Sequence, residues 1–186
     1  LDASAAPSRY ANAQVNLGLV LLDRAQLSSR TEAMLMVAEA ADAFKEALKV
    51  NDAKEYWHKR ATILENLAHA LKLQASLLGG SDRARHLSEA RRVTEQALRI
   101  YHDIGYTESA ERLFERLVKL EPRSAELQFM YGDTLLQAQK PENAIPHLEA
   151  AAKANPGVLP GRAALARAYL QVGRQADAIP HLKAAL

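Results

Sequence analysis

Apolar residues along this chain recur every three or four positions, which is the spacing of one buried helix face. In the stretch 54–77 the run Ala61, Leu64, Ala68, Leu71 and Ala75 keeps that spacing, and Tyr56 with Trp57 opens it. The alternation of apolar and polar residues that marks a strand is absent. The pattern predicts about nine helices, at 8–27, 32–50, 54–77, 83–103, 107–120, 125–138, 141–154, 159–172 and 175–186. Several ends have a chemical cause. Asp82 and Thr107 stand where they can cap first-turn N–H groups, and Gly105 where a left-handed stop should end the fourth helix. Pro141 suits a first turn, where its missing N–H costs nothing, and Pro156 stops the helix that follows. Pro146 and Pro180 each lie about six residues inside a helix, which predicts a modest kink and no break.

The pattern also repeats. Ala144-Ile145-Pro146-His147-Leu148 recurs letter for letter as Ala178-Ile179-Pro180-His181-Leu182, 34 residues later. Around it, large Tyr131, Leu135 and Leu148 alternate with small Gly132, Ala144 and Ala151; Leu165, Ala166, Tyr169, Gly173, Ala178, Leu182 and Ala185 follow the same scheme. Ala110, Phe114, Leu117 and Pro122 reproduce its second half. Upstream the period lengthens to 50: Asn16-Leu17 matches Asn66-Leu67, and Glu39-Ala40 matches Glu89-Ala90. The ten extra residues per unit predict longer helices and longer turns at Ser28-Ser29 and Gly79-Gly80.

A period of 34 with this small–large pattern and a terminal proline resembles the tetratricopeptide repeat, and the longer units resemble kinesin-light-chain-like arrays. The chain departs from the family in carrying Gln128 and Arg162 where a bulky aromatic is usual. The resemblance implies an all-α fold, a right-handed α-solenoid or superhelix of antiparallel helix pairs. Its units would be two long-period pairs over 1–106, a unit at 91–124 sharing the helix 83–103, one repeat at 125–158, and a truncated one at 159–186. Ile179, Leu182, Ala185 and Leu186 would lack cover at that end. Further repeats, another molecule, or self-association through the C-terminal helix are the expected remedies.

Composition narrows the chemistry. The 186 residues hold 24 Lys and Arg against 22 Asp and Glu, so no excess of one sign points to a polyanion. Cysteine is absent, which excludes disulfides and thiolate metal sites. No run of about 18 apolar residues would span a membrane. Because Leu1 is no initiator methionine, the compartment stays open. His147 and His181 repeat with the unit and lack a third ligand, and His58, His69, His86 and His102 show no metalloprotease spacing. No phosphate loop, dinucleotide fingerprint or nucleophile elbow is present. Neither cofactor nor metal is expected, and no catalytic residue. Arg85, Arg92 and Arg99 share one face, but Glu89 and Glu95 stand where they would pair with them, so nucleic acid is not expected either. Met34, Leu35, Met36 and Val37 form an apolar cluster expected to pack between helices.

The expected function is a non-catalytic scaffold or adaptor for protein–protein interaction, binding a protein or peptide in a concave groove. The alternative is a regulatory or sensor segment of a larger multidomain enzyme. The resemblance implies that first helices line the groove. They would contribute Asn12, Asn16 and Leu19, then Glu65, Asn66, His69 and Lys72, then Phe129, Asp133, Leu136, Ala163, Arg167 and Leu170. Asn16 and Asn66 occupy matching places, where an amide can both donate to and accept from a peptide backbone. An exposed polar residue or an interhelical hydrogen bond would explain the same pair.

Overall fold

A computed structural model describes residues 7–50, 56–155, 157 and 159–185. Among them the chain forms nine helices and no strand. These are α1 (Pro7–Ala25), α2 (Arg30–Val50), α3 (Trp57–Leu77), α4 (Gly80–Asp103), α5 (Thr107–Leu120), α6 (Ala125–Gln137), α7 (Pro141–Ala154), α8 (Leu159–Gln171) and α9 (Gln175–Ala185). The start of the third helix at 54–55, the stop at Pro156 and the end at Leu186 lie outside the described residues. Neighbours in sequence pack together: α1 on α2, α2 on α3, and then α5 through α9 in succession. Alternate helices also touch, α1 with α3 and α6 with α8. The chain clusters into two compact units, Leu1–Ile100 and Tyr101–Leu186.

The ten extra residues of the N-terminal units lie in the helices. α1 to α4 run 19, 21, 21 and 24 residues, against 13 or 14 for α5 to α8. Contrary to expectation, the turns there are short, and only Leu78 and Gly79 separate α3 from α4. A longer helix adds apolar burial with each turn, whereas a longer turn adds only chain to be ordered.

Three helix ends share one geometry. Gly105, Gln139 and Gly173 stand 34 residues apart and all adopt left-handed φ, at 73°, 59° and 76°. In each case the next N–H returns to the carbonyl five residues earlier: Tyr106 to Tyr101, Lys140 to Leu135, and Arg174 to Tyr169, at 2.8–2.9 Å. This is the Schellman stop, and it satisfies carbonyls that the helix end leaves open. Gln139 is the one side chain among the three, and a β-carbon in this region costs about 1–2 kcal/mol. Gln139→Gly should therefore raise stability by roughly 0.5–1 kcal/mol, after the added freedom of the unfolded chain is subtracted. A higher urea midpoint with unchanged slope is the expected reading.

Other ends differ from the sequence expectation. Asp82 lies within the first turn of α4 and pairs with Arg85 at 3.0 Å. Thr107 is the first residue of α5, and the capping position is Tyr106, whose side chain makes no cap bond. Two caps were not anticipated. Ser124 Oγ accepts from the Leu127 N–H at 3.4 Å, and Ser29 and Glu32 form a reciprocal capping box at the start of α2. Helices α7 and α9 continue through Pro146 and Pro180.

Each unit has a large side chain seated on a glycine. In the first, Phe44 of α2 is wholly buried, and its ring fills the space over Gly18 of α1, where a β-carbon would come within 2.6 Å. In the second, Leu148 of α7 sits over Gly132 of α6, where a β-carbon would come within 2.5 Å of Leu148 Cγ. Small residues at these places let the paired helices approach closely. Val37 is fully buried as expected, but Leu35 beside it is 70% exposed.

Candidate functional site: the exposed side of α6 and α8

Asp133 on α6 gathers several side chains. Its Oδ1 accepts from Arg167 Nη2 of α8 at 2.9 Å, and its Oδ2 accepts from Gln137 Nε2 at 3.1 Å. His102, near the end of α4, places Nε2 at 3.6 Å from Asp133 Oδ2 and Nδ1 at 2.9 Å from Thr134 Oγ1. A proton on Nε2, toward the carboxylate, leaves Nδ1 to accept from the Thr134 hydroxyl. The Asp133 side chain is only 20% exposed, whereas that of Arg167 is 57% exposed. The carboxylate is thus held in a fixed position, and the guanidinium still presents donors to solvent. Asp133 and Arg167 are 34 residues apart, so equivalent helices place opposite charges side by side. The spacing of 34 aligns His102 with Leu136 and Leu170 and Asp133 with Arg99, so no sequence signal brings His102 here.

Beside this cluster, between the start of α6, the end of α7 and the start of α8, lies a cavity of about 230 Å³. Its described lining is Ala125, Glu126, Phe129, Ala151, Ala152, Asn155 and Gly161. It is mainly apolar because four of these seven, drawn from three helices, are alanine or glycine and a fifth is Phe129.

His147 has a structural role. Its Nδ1 lies 2.7 Å from Gln128 Oε1, while Gln128 Nε2 donates to the Pro122 carbonyl at 2.8 Å, so Oε1 is the acceptor and Nδ1 carries the proton. The imidazole also lies 4.2 Å from the Tyr131 ring, and Tyr131 stacks on Phe114. Gln128, which stands in place of an aromatic, thus joins two elements by hydrogen bonds. In the next repeat Arg162 occupies that place and offers no acceptor. Among the described residues, His181 Nδ1 is buried without a hydrogen-bond partner.

Burial pushes the His147 pKa down. The unfolded chain, with His near 6.5, therefore binds the proton first as pH falls. The stability tied to neutral His147 is whole above about pH 6.5 and is lost as pH falls through the lower folded value. Urea midpoints at pH 7.5 and 5 should differ more in the parent chain than in His147→Gln, where this titration is gone. Burial, with Glu115 and Glu111 adding to it, holds the Tyr131 phenol up at about 12. Burial and a hydrogen bond to Glu149 do the same for Tyr169. Both phenols stay protonated near neutrality. Among the described residues, no three His, Asp or Glu side chains converge as a metal site.

The remaining sequence candidates lie in the first unit. Asn12, Asn16 and Leu19 are exposed on α1; on α3, Glu65, Asn66 and Lys72 are half-buried and His69 is exposed. Among the described residues, neither the Asn16 nor the Asn66 amide has a hydrogen-bond partner, which removes one of the two ordinary explanations for the pair. In the second unit Phe129 is half-buried, Ala163 and Leu170 are exposed, and Leu136 is buried in the core. The arginine face of α4 pairs differently from its spacing: Arg85 takes Asp82, Glu95 takes Arg91 at 2.9 Å, and Glu89 faces Lys45 of α2 at 3.9 Å. Among the described residues, no helix is long and apolar enough to cross a membrane.

Known proteins resemble this geometry. The family model for subunit 3 of the anaphase-promoting complex, or cyclosome, matches residues 103–185, which is less than half of the chain. No curated protein matches the sequence. Among solved structures, a crystal structure of MamA protein aligns with a TM-score of 0.51 at 17% identity, covering 95% of this chain and 90% of its own. Two crystal forms of MamA AMB-1 align with TM-scores of 0.50 at 20% identity, covering 92–93% of this chain and 90–96% of theirs. At such identities the likeness speaks for the fold. The repeated helical stops, the glycine-seated helix pairs and these matches together give the chain a helical-repeat fold similar to that of tetratricopeptide proteins.

Proposed function

We propose that this chain is a non-catalytic scaffold that binds a protein or peptide segment along the exposed sides of its first helices. The fold is that of a protein-interaction scaffold. The observation that carries the finer reading is the Asp133–Arg167 pair, which ties α6 to α8 and fixes a polar strip between half-buried Phe129 and exposed Leu170. A strip whose side chains are already held loses little freedom when a ligand binds, and it offers guanidinium donors beside apolar area. In the first unit, Asn16 and Asn66 add amides that can each donate and accept toward a peptide backbone.

The test is capture by cross-linking, followed by affinity measurement with the partner obtained. Asn16→Ala with Asn66→Ala, and separately Asp133→Ala with Arg167→Ala, should each weaken binding at least about tenfold, since each lost bond to a buried group costs about 1–3 kcal/mol. Glu142→Ala, on the exposed part of α7, should leave it unchanged. The asparagine pair should hardly move the melting temperature. If binding survives both double variants, the surface is wrong.

A further inference from the structure

We infer that the cavity beside Phe129 is a subsite for one aromatic side chain of the bound segment. The inference rests on the proposed use of the α6–α8 surface and names what that surface selects. Size is the first argument. About 230 Å³ is below the roughly 300–1,000 Å³ of sites that take a whole small-molecule ligand, yet above the roughly 150 Å³ in which an apolar cavity holds benzene. One benzyl or indole group matches it; a longer ligand does not.

Shape and charge agree. The floor is Ala125, Ala151, Ala152 and Gly161, and Phe129 offers a ring against which a second ring can lie offset or edge-on. Gly161 leaves the space beside Phe129 unfilled. A β-carbon there would meet Phe129 at 3.8 Å, an ordinary contact, so a larger residue would occupy the cavity without straining the backbone. The described lining is mainly apolar, and a carboxylate entering it would lose its hydration. An acidic side chain or a terminal carboxylate is thereby disfavoured, and a neutral ring is complementary. Asn155, also on the lining, is placed to hydrogen-bond the backbone that carries the ring.

Capped single residues test this without any partner. N-acetyl-phenylalaninamide, titrated to tens of millimolar, should shift the amide NMR signals of Ala125, Phe129, Ala152 and Gly161 with an affinity of about a millimolar. N-acetyl-leucinamide should bind several-fold more weakly, and N-acetyl-aspartate amide should leave those signals in place. Gly161→Leu and, separately, Ala152→Leu should each abolish the response while the melting temperature is retained. The inference is overturned if the aromatic probe gives no shift, if the leucine or aspartate probe matches it, or if both folded variants respond as the parent does. Failure here with a partner still lost in Asp133→Ala and Arg167→Ala would remove the subsite and keep the binding surface. A positive titration with binding intact in those variants would do the reverse.

Discussion

Truncation of Phe44 to alanine should destabilise the first unit by about 3–5 kcal/mol. The ring is wholly buried, and the glycine beneath it offers no side chain to move into the vacated space. Collapse is also resisted from the other side, because Val37, Ala40, Ala41 and Ala47 of the same helix are themselves buried. An unfilled cavity lined by backbone and alanine loses dispersion contacts outright. A loss of this size is comparable to the whole stability of many domains. Urea unfolding followed by helical circular dichroism should show a first transition moved to much lower denaturant. Adding Gly18→Leu to Phe44→Ala should recover part of the loss, since volume returns to the same space from the opposite helix. A loss below 1 kcal/mol for Phe44→Ala would mean that the two helices do not pack as described.

Gly132→Ala should destabilise the second unit by about 1–2 kcal/mol, although alanine is the better helix former. The propensity gain is roughly 1 kcal/mol. Against it stands a β-carbon 2.5 Å from Leu148 Cγ, 2.7 Å from its Cδ2 and 3.3 Å from the Ala144 carbonyl. Leu148 has no exposed surface through which to swing away, and the carbonyl is backbone, so α6 and α7 must separate. Overpacking of this kind costs about 1–3 kcal/mol and more where backbone is pushed. The decisive measurement is a double-mutant cycle with Leu148→Ala, which alone should cost about 2–5 kcal/mol. With Leu148 shortened the clash disappears, and the Gly132 substitution should turn neutral or stabilising. Additive effects would show that Gly132 and Leu148 do not meet.

These two contacts indicate what was legible in the sequence. Buried helix faces follow from apolar spacing, and the alternation of small with large residues follows from the repeat, so helix identities and the close approach of paired helices could be read in advance, but not which large side chain meets Gly132. The Gly79-Gly80 pair misled, because glycines signal a turn by composition while local geometry let α4 begin at Gly80 itself. Polar partners were less legible. Glu89 can reach Arg85 by spacing alone, but Lys45 approaches from another helix, and long side chains choose between such partners by small differences in rotamer energy. The Gln128–His147 bond was hidden for a different reason. Both residues break a family pattern or merely repeat with it, and only their placement on facing helices gives the pair meaning. His102 at Asp133 shares that limit, since the register of 34 aligns Asp133 with Arg99 and His102 with Leu136.

The left-handed stops at Gly105, Gln139 and Gly173 also constrain how such a chain can change length. One residue added inside α6 would turn everything after it by about 100° before the stop is reached. Asp133 could not then face Arg167, nor Gly132 take Leu148. The same residue added in a turn past a stop leaves both helices in phase. Single-residue insertions should therefore be tolerated at 139–140 and rejected at 130–136, whereas duplication of a whole 34-residue segment preserves every contact. Such a chain can gain or lose entire repeats more readily than it can gain or lose one residue.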